Sequence, residues 1–147
     1  MVRFENSPGK MWSDAGAAPP LSIGATIVAA TMSDFPEFMK QPANRIANTH
    51  QATPGVEGYI FDGADGSQMA FWTCHETAAS AEHVHDYDEY MLVVEGCYTL
   101  LIDGQRLPVK AGEEHVIPRG VPHGGEVLAG TRTIHAFGGH RADRIVR

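Results

Sequence analysis

The regular beat of turn residues through the second half of the chain constrains the fold most. From Gly58 onward, short β-rich runs alternate with tight clusters of Gly, Asp and Pro. Tyr59-Ile60-Phe61 runs into Asp62-Gly63-Ala64-Asp65-Gly66, and residues 69–73 resume as a strand. Residues 90–95 stop at Gly96, and 97–102 meet Asp103-Gly104, the strongest short hairpin signal in the chain. Residues 106–110, 115–117 and 131–137 complete the series. At least seven short strands at this spacing predict an all-β sandwich or barrel.

Composition agrees. A chain of 147 residues suits one domain, and its 16 Gly and 9 Pro fit many turns between short elements. The net charge of −7 argues against a nucleic-acid partner, which needs a basic footprint. Arg141, Arg144 and Arg147 make the tail locally basic and read as a solvated terminus. Cys74 and Cys97 read as reduced, partly buried thiols. No basic stretch followed by an apolar run marks a signal peptide, and residues 23–30 are too short to span a bilayer. The expectation is a soluble cytoplasmic protein with no membrane partner.

Residues 1–20 hold Asn6-Ser7-Pro8-Gly9 and Gly16-Ala17-Ala18-Pro19-Pro20 and read as a flexible N-terminal arm. Residues 21–147 read as a single barrel domain, with a strand possible over 21–30. Asp34 and Glu37 have capping-box spacing, with Pro36 tolerated in a first turn. They predict a helix of about two turns, presenting Phe35, Phe38 and Met39 on one face and ending before Pro42.

The chemistry concentrates in His83-Val84-His85-Asp86-Tyr87-Asp88-Glu89. Alternate strand residues face one way, so His83 and His85 would sit roughly 6–7 Å apart on one face, close enough to share an ion. Glu89 lies four residues past His85 and joins them only if Asp86-Tyr87-Asp88 turns the chain. Glu89 would then open the next strand, with Met91 and Val93 on its face. Farther on, Pro118, Gly120 and Pro122 make a stiff turn that would hold His123 in one direction.

These residues carry a resemblance. His83-x-His85-x3-Glu89-x6-Gly96 resembles the first motif of the cupin superfamily, and Gly112-x5-Pro118-x-Gly120-x2-His123 resembles its second. The paired motifs cover residues 83–123, and the strand pattern extends the likeness to about 58–140. Thr77 stands where the first motif usually opens with Gly, and Val127 where the second often closes with Asn. The resemblance implies a double-stranded β-helix, or jelly-roll barrel, around one divalent metal ion held by His83, His85, Glu89 and His123. It also implies a homodimer.

His135 shares strand parity with Thr133 and Phe137; if that face lines the cavity it is the candidate catalytic acid or base, or a partner that orients a metal ligand, and otherwise an exposed or satisfied histidine. Trp72 and Cys74 oppose Met69, Phe71 and Thr73, and one of these two sets lines the barrel. Tyr87 lies in the turn between the ligands, where it either rims the pocket or, the simpler reading, packs. Arg45, Arg106, Arg119 and Arg132 are the arginines weighed for gripping an anion. His50, His75, His115 and His140 fit no motif and are expected at the surface.

Three imidazoles and a carboxylate suit Fe, Mn, Ni, Co or Zn, with about two coordination positions left open. The resulting expectation is a metal-dependent enzyme on a small polar metabolite, of dioxygenase, isomerase, epimerase or lyase type, with a dioxygenase favoured if the metal is iron. The alternative is a non-catalytic cupin that binds a sugar or metabolite.

Overall fold

The computed structural model describes residues 35–47 and 53–145. The arm expected over 1–20, the strand expected over 21–30, and His50 lie outside them. Among the described residues there are nine strands: β1 Val56–Asp62, β2 Gln68–Cys74, β3 Ala78–His83, β4 Glu89–Glu95, β5 Cys97–Ile102, β6 Gln105–Lys110, β7 Glu114–Ile117, β8 His123–Val127 and β9 Arg132–Phe137. They form two antiparallel sheets, ordered β1-β2-β9-β4-β7 and β3-β8-β5-β6. This is the all-β double-stranded β-helix that the turn pattern and the resemblance imply.

Turn chemistry sets the registers. Asp103 and Gly104 both take positive φ, 51° and 70°. A two-residue loop of that kind twists with its strands and pairs Ile102 directly with Gln105. In the β1–β2 turn, Asp65 Oδ1 accepts the Ser67 amide at 3.0 Å and the Ser67 hydroxyl at 2.6 Å.

Strand alternation then sorts side chains between core and surface. Glu89, Met91 and Val93 of β4 are buried, as are Thr133, His135 and Phe137 of β9. On β2, Ala70, Trp72 and Cys74 face inward while Met69 is exposed, which decides the open question of which set lines the barrel. One core cluster gathers Ile46, Ile60, Ala70, Trp72, Phe137 and Ala142. A second gathers Met91, Val93, Leu100, Ile102, Val109 and Ile117. Burial of each such aliphatic side chain contributes about 1.5–3 kcal/mol. Trp72 and Phe137 from the first cluster, and Met91 and Ile117 from the second, border one cavity between the sheets.

Two expectations are corrected. The helix expected after Asp34 is instead a pair of 3-10 turns, Glu37–Met39 and Pro42–Asn44. No residue of either turn is buried, and Phe38 is 76% exposed, so no packed face supports a longer helix. Pro42 also pushes Gln41 into extended backbone, ψ 121°. The second correction is β8: His123 opens a strand rather than closing a turn. Its Gly124-Gly125 hides the strand, since glycine is a poor strand former.

Candidate metal centre

β3 and β8 bring the first two histidines together. His83 and His123 are direct cross-strand partners. Pairing slips by one residue between Ser80 and His83. That bulge reverses the inside–outside parity, so Ser80 and His83 both border the cavity although they are three apart. The strand ends at His83, and His85 sits in the turn beyond it.

Two backbone bonds fasten that turn to the second ligand stretch. The Gly120 amide donates to the His85 carbonyl at 2.8 Å, and the Arg119 amide donates to Asp88 Oδ1 at 2.9 Å. Gly120 takes φ 76°, a conformation that favours glycine, and so makes the turn that ends at His123. The expected reversal through Asp86-Tyr87-Asp88 is present, and Glu89 opens β4 as expected.

The ring nitrogens are sorted by their partners. Nδ1 of His83 lies 3.0 Å from the Ala81 carbonyl, Nδ1 of His85 2.8 Å from the Tyr87 carbonyl, and Nδ1 of His123 2.8 Å from the Val121 carbonyl. A carbonyl only accepts, so a neutral ring donates to it from Nδ1 and leaves its Nε2 lone pair free for an ion. One ligand nitrogen from each of His83, His85 and His123 lies within 4.8 Å of the others. The ring centroids are 4.3 Å apart for His83–His123, 4.8 Å for His85–His123 and 5.9 Å for His83–His85.

Glu89 completes the group from the other sheet and is only 4% exposed. Its Oε2 lies 2.9 Å from His85 Nε2 and 3.5 Å from His123 Nε2. The second approach is too long for a strong hydrogen bond, and His123 Nε2 is buried without a hydrogen-bond partner. An orphaned imidazole lone pair, two more beside it and a buried carboxylate form a donor set that fits a divalent ion.

Behind Glu89 stands His135, 7% exposed and facing the cavity. Its Nδ1 is 2.5 Å from Glu89 Oε1, and its Nε2 is 3.0 Å from the Thr133 hydroxyl. His135 therefore contacts the carboxylate rather than joining the three imidazoles. Burial acts to raise the Glu89 pKa, but the neighbouring His123, His135 and His85 outweigh it and hold the carboxyl far below the usual range. Burial lowers the pKa of His83. For His123 burial acts the same way, and the Glu89 carboxylate and the Val121 carbonyl reverse it to a raised value. Burial pushes the Tyr98 hydroxyl, on the sheet that carries His83 and His123, up to about 12, so it stays neutral.

Among the other residues weighed from sequence, Tyr87 does more than pack. Its ring stacks on His85, centroids 4.3 Å apart and planes 8° off parallel, and it borders the cavity. Exposed His75 and His140 pair with Glu57 and Asp143. None of Arg45, Arg106, Arg119 and Arg132 borders the cavity, whereas Arg141, read as part of a solvated tail, does. Cys74 and Cys97 are free thiols, as expected.

Comparison with known proteins agrees with this architecture. Residues 70–135 match the family model of the cupin domain. Among solved structures the chain is similar to KdgF from Halomonas sp., with 20% identity, 63% of this chain and 91% of that chain covered, and a TM-score of 0.53. It is similar to an RmlC-like cupin from Shewanella frigidimarina, with 23% identity, coverage of 56% and 75%, and a TM-score of 0.52. It is also similar to the polyketide cyclase RemF from Streptomyces resistomycificus, with 24% identity, coverage of 58% and 66%, and a TM-score of 0.51. These likenesses are of fold, and no curated protein matches the chain in sequence. Residues 70–135 thus match a cupin domain, in a chain whose two sheets form the barrel that the resemblance implies.

Proposed function

We propose that His83, His85, Glu89 and His123 hold one divalent transition-metal ion, and that the protein is a metal-dependent enzyme acting on a small metabolite. One observation carries the metal reading. Three imidazoles have their Nδ1 atoms tied to backbone carbonyls, so three Nε2 lone pairs converge beside a buried carboxylate. Such tethers fix tautomer and ring direction before any ion arrives. An ion bound there would supply Lewis-acid polarisation of a substrate oxygen, or a meeting point for dioxygen and substrate.

The chain's own residues supply the rest. A cavity of about 430 Å³ adjoins the histidines, within the size range of small-molecule sites. Trp72, Met91 and Phe137 give its walls an apolar surface. His135 holds a proton at Nδ1 against Glu89 and fixes the carboxylate's orientation. The fold of RemF, a polyketide cyclase, supports an enzymatic use of this architecture by likeness of fold alone.

Elemental analysis of protein purified without an affinity tag, paired with oxygen-uptake and product assays on chelating hydroxy acids and diketones, tests the proposal. The expected result is about one ion per chain, with both metal and turnover lost in Glu89→Ala and His123→Ala. Iron with oxygen uptake would select the dioxygenase reading. Ligand binding without any product would select the non-catalytic one. Full activity in metal-free alanine variants would overturn the assignment.

A further inference from the structure

Arg141 follows the last strand, where sequence periodicity has ended, yet its side chain borders the same cavity as the histidines. The fold builds this placement. Gln68, the first residue of β2, is 5% exposed and sits opposite Phe137 of β9. Its Oε1 accepts the backbone amides of Arg141 and, at 3.0 Å, Ala142. Its Nε2 donates to the Ala142 carbonyl at 3.1 Å and to Asp62 Oδ1 at 2.9 Å. A buried amide therefore clamps the chain at 141–142 against the barrel end. The following residues are tied down too, by the Ala47 amide to the Asp143 carbonyl at 3.0 Å and the Ile145 amide to the Arg45 carbonyl at 2.9 Å.

The charge of Arg141 is uncommitted. Arg45, Arg106, Arg132 and Arg144 each have a carboxylate within 4 Å: Glu57, Glu126, Glu95 and Asp62. Among the described residues the Arg141 guanidinium has no such partner, and it lies over the Phe137 ring, whose centroid is 5.9 Å from its central carbon. Among the described residues, the only acidic side chain that borders the cavity is Glu89, already engaged by His85 and His135. In a chain of net charge −7, an unpaired cation beside Trp72, Tyr87 and Phe137 leaves the cavity short of an anion. An ion at the histidines would deepen that deficit.

We propose that the cavity selects a small organic acid, its carboxylate gripped by Arg141 and its apolar body laid on Trp72 and Phe137. The proposal rests on the reading of this cavity as the metal-dependent site, and it names the class of substrate. A planar guanidinium matches a carboxylate with two parallel hydrogen bonds, while the surrounding aromatic wall favours an unsaturated or aryl body over a compact inorganic anion.

Calorimetric titration of Zn(II)-loaded protein tests it. The probes are pyruvate, benzoate and cinnamate, with benzamide and cinnamyl alcohol as uncharged counterparts and inorganic phosphate as a competing anion. The variants are Arg141→Gln, Arg141→Lys and the surface control Arg106→Gln, each with its zinc content measured. Carboxylates should bind the wild type and Arg106→Gln alike and bind Arg141→Gln about tenfold or more weakly, at unchanged zinc content. Arg141→Lys should restore part of the loss, and the uncharged probes should fail. Equal carboxylate binding to Arg141→Gln, equal binding of benzamide, a preference for phosphate, or no carboxylate binding would each overturn the proposal. If the wild type takes up no zinc, the metal reading fails, and the same dependence on Arg141 is then required of the metal-free protein.

Discussion

Glu89 and His135 share a hydrogen bond of 2.5 Å between buried atoms, and this bond divides the carboxylate between two tasks. Oε1 faces His135, while Oε2 faces His85 and His123. The two residues lie on neighbouring strands, one pairing step apart, because Met91 is opposite His135 and Glu89 is opposite Phe137. Diagonal neighbours on one sheet face are within reach of long side chains. The sheet register itself therefore aims the carboxylate at the imidazoles.

Removing that support should loosen metal without destroying the fold. Partners that orient metal-holding groups typically matter by about 10–100-fold in affinity. His135→Phe keeps the ring volume and removes both nitrogens, leaving Oε1 free to swing. Its affinity for Zn(II) or Mn(II), measured by competition with a chelator, should fall by that order while circular dichroism stays unchanged. His135→Gln, which can still donate to Oε1, should recover part of it. Unchanged affinity in His135→Phe would show that Glu89 needs no such support.

Gly125 should be intolerant of any side chain. A Cβ at this position would stand 1.9 Å from the Tyr98 hydroxyl and 2.1 Å from its ring carbon Cζ. Tyr98 is half-buried on the adjoining strand β5 of the same sheet, so Gly125→Ala must displace it or move β8, which also carries His123. Overpacking of this sort costs about 1–3 kcal/mol. The expected readout is a Tm lowered by several degrees, about 2–8 °C per kcal/mol for domains in this size range. Tyr98→Ala added to Gly125→Ala should cost less than the sum of the separate changes, because the clash is gone.

The same contact explains what sequence could and could not reveal. Strands bounded by turn residues with a local mechanism, such as Asp103-Gly104, were legible because those residues act on their own backbone. His83, His85, Glu89 and His123 were legible because their spacing carries both strand parity and the cupin resemblance. Parity grouped His135 with Thr133 and Phe137 but left open which face of β9 looks inward, because both faces carry apolar residues. β8 was hidden because Gly124 and Gly125 answer to Ser80 and Tyr98 on other strands, not to a local preference. Arg141 was hidden for a similar reason, since Gln68, 73 residues earlier, turns its backbone towards the barrel. The helix was overcalled because its caps were legible and its lack of a packing surface was not.

Acid should unfold the metal-free protein partly through Glu89. Its folded pKa is depressed, whereas an unfolded glutamate titrates near 4.3. Below about that pH the unfolded chain binds the proton and the native carboxylate does not, so stability falls as pH falls. The contribution is fully present above about 4.3 and is lost progressively down to the folded value. The Tm of metal-free wild type should drop steeply below about pH 4.3, and Glu89→Gln should show a shallower drop. Parallel slopes would mean that other carboxylates govern acid unfolding.

Metal binding should have its own pH limit, higher than this one. Every imidazole must surrender its Nε2 proton to become a ligand, and unperturbed histidine titrates near 6.5. Burial has already lowered the pKa of His83, so the residue resisting metal in mild acid is His123, whose pKa Glu89 raises. Apparent affinity for Zn(II) should fall as pH drops through about 6.5, with protons released on binding in proportion. Asp88→Ala should weaken affinity at every pH by a comparable factor, because it removes the tie from the Asp88 carboxylate to the Arg119 amide without touching a titrating ligand. Chelator competition from pH 5.5 to 8 in two buffers of different ionisation enthalpy measures both effects. Affinity that stays flat across that range, with no proton release, would contradict imidazole ligation outright.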